Sequence, residues 1–249
     1  MHQQLRLLFT ALCFFTRLPL IRWAGNSEQD LNHSVRYFPL VGLIVGSIAA
    51  LSWWLSAQLL PHPVAIIISM ISTILVTGGF HEDGLADCCD GLGGGWSQQQ
   101  ILTIMKDSRI GSYGSLALIM ALLLKFASLQ AIAPTLLPLI LITAHGLSRL
   151  ASVLLIASLS YVKETGKAKP LAQHISPGEL LIAVASGLLP LTLLPFPLLA
   201  ALIPVLLGWL YFQRLLHKQI GGYTGDCLGA MQQIAELCFY LGILACGSV

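Results

Sequence analysis

Seven stretches of this 249-residue chain are apolar enough to cross a lipid bilayer, and that property excludes most other architectures. A crossing segment needs about 20 mostly apolar residues and must satisfy every backbone N–H and C=O internally. The stretches are 37–60, 64–80, 112–133, 136–158, 180–194, 196–212 and 228–246, with 180–194 and 196–212 the shortest and least sharply bounded. The expected fold is therefore all-α, a polytopic membrane helix bundle of about seven transmembrane helices, forming a single integral membrane domain over 1–249. Charged residues make up only 10% of the chain, against about 25% in soluble domains. A net charge of +2 gives no basic field for holding nucleic acid, so the lipid bilayer is the expected macroscopic partner.

Residues 5–21 carry Arg6 and Arg17 on either side of Leu7, Leu8, Phe9, Leu12, Phe14 and Phe15. This pattern predicts an interfacial or re-entrant helix rather than a spanning one. Arg17-Leu18-Pro19 stands where a signal peptide would need small residues for cleavage, so the segment is read as retained. Eleven of the thirteen Lys and Arg residues fall in alternate connections: Arg6, Arg17, Arg22 and Arg36, then Lys106 and Arg109, then Lys163, Lys167 and Lys169, then Arg214 and Lys218. The connections around Pro61, Pro134 and Pro195 hold no charge. By the positive-inside rule the N-terminus and the basic loops are cytoplasmic and the C-terminus is outside.

Six cysteines contain no C-x-x-C pair, so neither a disulfide framework nor a zinc site is indicated, and Cys88-Cys89 reads as small-residue packing. The chemical signal is acidic. Of six aspartates in the chain, Asp83, Asp87 and Asp90 lie within eight residues, directly after an apolar stretch. If that helix continues past the membrane, the three share one face at i, i+4 and i+7, while Glu82 points elsewhere. Repelling carboxylates call for a counter-cation, and hard oxygen ligands favour Mg²⁺, Mn²⁺ or Ca²⁺. The glycines of 91–95 then stop the helix, and residues 81–111 form an acidic loop region on the basic side.

Two further segments border the membrane on that side: Lys106-Asp107-Ser108-Arg109-Ile110-Gly111 and Gly221-Gly222-Tyr223-Thr224-Gly225-Asp226. Arg109 can bond phosphate bidentately, and Thr224, Gly225 and their neighbours can present backbone N–H groups to an anion at a helix start. Gly78-Gly79-Phe80-x-x-Asp83 faintly echoes Gly221-Gly222-Tyr223-x-x-Asp226. Within the spans, Lys125, Arg149 and Glu236 are costly, and Glu236 is expected to pair with Arg149 or Lys125 beneath the acidic site. Gly42-x-x-x-Gly46 can pack helices closely within one chain or between two, which leaves a homo-oligomer open. There is no G-x-x-x-x-G-K-[ST] sequence, so the residues alone lead to a membrane phosphotransferase. A transporter is the rival class, although the charge is densest at the surface rather than at mid-depth.

Three segments carry a closer resemblance: Gly-Gly-Phe-His-Glu-Asp-Gly-Leu-Ala-Asp-Cys-Cys-Asp-Gly at 78–91, Met-Lys-Asp-Ser-Arg-Ile-Gly at 105–111 and Gly-Gly-Tyr-Thr-Gly-Asp-Cys-Leu-Gly-Ala at 221–230. Together with 14–19, 37–42 and Lys125, the chain resembles the cobalamin synthase family, the adenosylcobinamide-GDP ribazoletransferases. The resemblance implies an inner-membrane enzyme of cobalamin biosynthesis. It uses Mg²⁺ to join α-ribazole, or its 5′-phosphate, to adenosylcobinamide-GDP with release of GMP. Carried onto this chain, Asp83, Asp87 and Asp90 hold the metal, with Asp226 or Asp107 completing its coordination. His81 or one of these carboxylates takes the hydroxyl proton, and Lys106 and Arg109 stabilise charge on the transferring group.

Overall fold

The computed structural model describes residues 2–20, 22–25, 27–162 and 175–247, so Lys163, Lys167 and Lys169 lie outside the described residues. A short helix, α1 (His2–Phe15), precedes α2 (Glu28–Ser34), α3 (Phe38–Ala57), α4 (His62–Thr77), α5 (Phe80–Gly94) and α6 (Gln98–Met105). After these come α7 (Ser112–Ala131), α8 (Leu137–Ser158), α9 (Pro177–Leu188), α10 (Leu202–Ile220) and α11 (Gly225–Ala245). Among the described residues the only extended pairing is an isolated parallel bridge between Tyr161 and Tyr223.

Five helical stretches are long and apolar enough to span a membrane: Glu28–Ala57, Ser112–Ala131, Leu137–Ser158, Phe196–Ile220 and Gly225–Ala245. The expected count of seven is reduced at two places, each with a local cause. Gly78 and Gly79 take φ of 71° and 73°, left-handed values that end α4 where a side chain would be strained. The chain resumes as α5, bent by 86° from α4, so these two helices meet the length criterion only as a pair. In the stretch 180–194, α9 gives way at Pro190 to a 3₁₀ turn, Leu189–Leu193, and the segment stays short. Proline removes an N–H and crowds the preceding carbonyl, which accounts for that change. The N-terminal helix α1 is too short to span, and it buries Leu7, Ala11, Leu12 and Phe15 on one stripe.

The core forms where α3 packs along α8. Gly42 and Gly46 lie directly on the α8 backbone, so the Gly-x-x-x-Gly pair packs within the chain: a Cβ at Gly46 would sit 2.7 Å from the Ile142 Cα, and one at Gly42 would overlap the His145 carbonyl. Side-chain hydroxyls tie other helices to backbone, Ser69 Oγ donating to the Ala49 carbonyl at 2.8 Å and Ser152 Oγ to that of Leu228 at 2.8 Å. Such bonds are the natural adhesive where lipid supplies no hydrophobic drive between helices.

The polar connections gather at one end. Gln98 Nε2 donates to the Ile220 carbonyl at 2.7 Å, and the Tyr223 N–H to the Ser160 carbonyl at 3.0 Å. The 86° bend packs α5 against α11 and α7 at this polar end. Asp90 anchors it there, accepting from the backbone N–H of Gly111 at 2.7 Å and of Gly114 at 2.9 Å. A carboxylate from α5 thus caps the start of α7, whose own N-cap, Gly111, has no side chain to do so.

Two stability measurements follow, both by thermal unfolding in detergent. Gly42→Ala is expected to lower stability by about 1–3 kcal/mol through overpacking against α8. Asp90→Ala is expected to cost about 0.5–2 kcal/mol by uncapping α7, with Asp90→Asn between it and the native protein because one acceptor oxygen remains.

Candidate functional site

The site lies where two helices begin. At the end of α4 and again at the end of α10, a glycine in the left-handed conformation closes the span: Gly78 at φ 71° and Gly221 at φ 73°. Each is followed by a helix with an aspartate in its first turn, Asp83 in α5 and Asp226 in α11. The echo between the two segments is therefore matched by local geometry. The two helices touch through glycine: a Cβ on Gly84 would meet the Asp226 carbonyl at 2.8 Å and the Gly229 Cα at 3.2 Å. Only bare backbones allow that approach, and it draws the Asp83 and Asp87 side of α5 next to Asp226.

Asp83 is exposed and Asp87 half-buried on the outward face of α5, with Asp226 half-buried beside them. Burial, and then repulsion from Asp83, Asp226 and Asp90, pushes the Asp87 carboxyl up to about 7. A cation between these groups would reverse that shift. Among the described residues no three His, Cys, Asp or Glu side chains form a set that could enclose a metal ion. The donor set fits Mg²⁺ in the way that ion is usually bound, by a few carboxylates completed with water and substrate phosphate oxygens rather than by a protein cage.

The other expected ligands have different partners. Asp90 is 8% exposed and commits both oxygens to the α7 start. Asp107 accepts from Arg109 Nε and Nη2, the latter at 2.7 Å, and this holds its carboxyl below the usual carboxylate range. The Asp107–Arg109 pair is exposed on the loop before α7, close to Lys106 in sequence. His81 departs further from its expected role. Successive helical residues turn by 100°, so His81 lies across the helix from Asp83. It is buried, stacked on Phe15 at 5.5 Å, with Nε2 unpartnered inside the bundle.

Thr224 caps α11, its Oγ1 accepting from the Cys227 N–H at 3.4 Å. Next to it, the position a Cβ would take on Gly225 has no atom within 4 Å, which leaves an open approach to the helix start. The bridge between Tyr161 and Tyr223 pins the exit of α8 beside this segment. Cys88 and Cys227 meet at 3.7 Å as buried free thiols between α5 and α11, in keeping with a packing role.

Beneath the acidic face lies a buried polar layer. Of the two expected partners of Glu236, Lys125 is the one that reaches it, with Nζ 3.1 Å from Oε1. Tyr240 OH donates to the same oxygen at 2.9 Å, and Gln232 Nε2 to Oε2 at 2.7 Å. Arg149 instead donates from Nη1 to the His145 carbonyl at 3.1 Å. Two features escaped the sequence reading. Gly84 and Gly229 make the helix crossing, for which the small-residue spacing of Gly225 and Gly229 was an available signal. Glu82, off the aspartate face, turns inward to Gln233, and nothing local marked that contact.

The model of the family described as cobalamin-5-phosphate synthase matches residues 7–244. A relative from Shewanella woodyi (strain ATCC 51908 / MS32), named adenosylcobinamide-GDP ribazoletransferase, is 51% identical over 251 residues, covering 98% of this chain and 97% of its own. A relative of the same name from Shewanella baltica (strain OS185) is 47% identical over 257 residues, covering 100% of this chain and 97% of its own. No solved structure matches the chain. With its signature segments assembled at one end of a helix bundle and full-length relatives of one name, the chain belongs to the cobalamin-5-phosphate synthase family.

Proposed function

We propose that the chain transfers the cobinamide-phosphate group of adenosylcobinamide-GDP to α-ribazole or α-ribazole 5′-phosphate, with release of GMP. The observation that carries this reading is the meeting of Asp83, Asp87 and Asp226 on one open face, in a chain whose relatives are named for that transfer. A nucleotide diphosphate brought to that face is anionic and needs a cation between it and the carboxylates. Mg²⁺, when bound, supplies that neutralisation and polarises the departing phosphate.

Asp83, Asp87 and Asp226 are the residues that would hold the metal. The ribazole hydroxyl forms its bond to the phosphorus attached to cobinamide as the bond from that phosphorus to the GMP oxygen breaks. A carboxylate oxygen of Asp83, Asp87 or Asp226 takes the hydroxyl proton. Arg109 bonds Asp107 through Nε and Nη2, and its guanidinium can also donate to a phosphate oxygen, with Lys106 adding charge from the same loop. The open α11 start at Thr224 and Gly225 offers backbone N–H groups and the positive end of the helix dipole to the nucleotide phosphate. The basic connections support a cytoplasmic position for this polar end, an inner-membrane location for the chain and a C-terminus outside.

Purified in detergent with adenosylcobinamide-GDP, α-ribazole and Mg²⁺, the protein is expected to release one GMP per corrinoid product. Chelation should abolish turnover and added Mg²⁺ should restore it. Asp87→Asn is expected to lose about 100-fold in kcat, or ~2.7 kcal/mol of barrier. Near-normal turnover by that variant, or turnover that persists in chelator, would overturn the assignment of the acidic face.

A further inference from the structure

The link between α5 and the buried layer runs through a residue outside the acidic face. Glu82 Oε1 accepts from Gln233 Nε2 at 3.0 Å. Gln233 Oε1 accepts from Lys125 Nζ at 3.0 Å, and Lys125 pairs with Glu236 at 3.1 Å. Gln232 carries the chain to α8, donating to Ser148 Oγ at 3.0 Å. Gln233, Lys125 and Glu236 are all buried. The amide of Gln233 acts as an adaptor whose orientation is fixed, since its oxygen must face the ammonium and its NH₂ the carboxylate. The glycine contact of Gly84 with Gly229 brings α5 against α11, Cys88 meets Cys227 in the same seam and Asp90 ties the far end of the helix to α7, which leaves Glu82 as the polar tie of its first turn to α11.

We infer that the Glu82–Gln233 hydrogen bond is a positioning strut, fixing the rotation of α5 about its axis and so the placement of Asp83 and Asp87 opposite Asp226. Glu82 immediately precedes Asp83, so any roll that releases Glu82 carries Asp83 and Asp87 with it. Glu82 and Gln233 are positioning residues and touch no reacting atom. This role rests on the proposed transferase reading, which supplies the activity by which it is measured.

The test is a swap, read by steady-state kinetics and by Tm in detergent. Gln233→Glu sets a carboxylate against Glu82, and kcat is expected to fall about tenfold or more, with KM for adenosylcobinamide-GDP within about twofold of native, as expected when directly contacting residues couple. Glu82→Gln keeps an acceptor oxygen and is expected to stay within about threefold of native. The double variant Glu82→Gln/Gln233→Glu restores a donor facing a carboxylate that still accepts from Lys125. Its kcat is expected to return to within about threefold of native even if Gln233→Glu alone does not fold. Native kcat in Gln233→Glu, or a double variant no better than that single, would overturn the strut while leaving the reaction intact. A native protein that releases no GMP would overturn the reaction assignment and the positioning role with it.

Discussion

Lys125 and Glu236 face each other at 3.1 Å within a buried polar layer that also holds Gln232, Gln233, His145 and Tyr240. Unpaired, either charge would be expensive in hydrocarbon, and removing one partner of such a pair typically costs about 3–5 kcal/mol. The pair joins α7 to α11, and the Gln232 contact with Ser148 brings in α8. Three spans are thus held in one register by polar contacts that lipid cannot replace. Everything at the polar end rests on this layer, because α5 has no span of its own to fix it and leans on α7 and α11.

The acidic site is a seam between two helix starts. The positive ends of the α5 and α11 dipoles both favour negative charge, which lets Asp83 and Asp226 sit in first turns at little cost. Bare glycines then bring the helices close enough for the carboxylates to repel, and Asp87 registers that crowding. The frame stores negative charge at a membrane surface otherwise lined with basic residues. A cation placed between the carboxylates would relieve that crowding.

Much of this was legible in the residues. Apolar run length gave the bundle and the i, i+4 spacing of Asp83 and Asp87 gave their shared face, but the helix expected to run on from the second span instead breaks at Gly78-Gly79 and starts afresh as α5. What was not legible depends on which helix comes to lie next to which. Asp90 looked equivalent to its neighbours by spacing, but the 86° bend turns it onto the N-terminus of α7. His81 has the residue type of a base, yet its position on the helix points it at Phe15. The inward turn of Glu82 required knowing that Gln233 stands two helical turns into α11. Local sequence encodes faces and breaks well, and it encodes partners only after the helices have been packed.

The helix that delivers α5 is itself short. At 16 residues, α4 rises about 24 Å, against a hydrocarbon thickness of about 30 Å. The bilayer beside it has to thin, or the elbow at Gly78-Gly79 has to sit below the headgroups, each at a modest cost per ångström. An elbow set below the headgroups would leave the start of α5 lower than the ends of the longer spans around it.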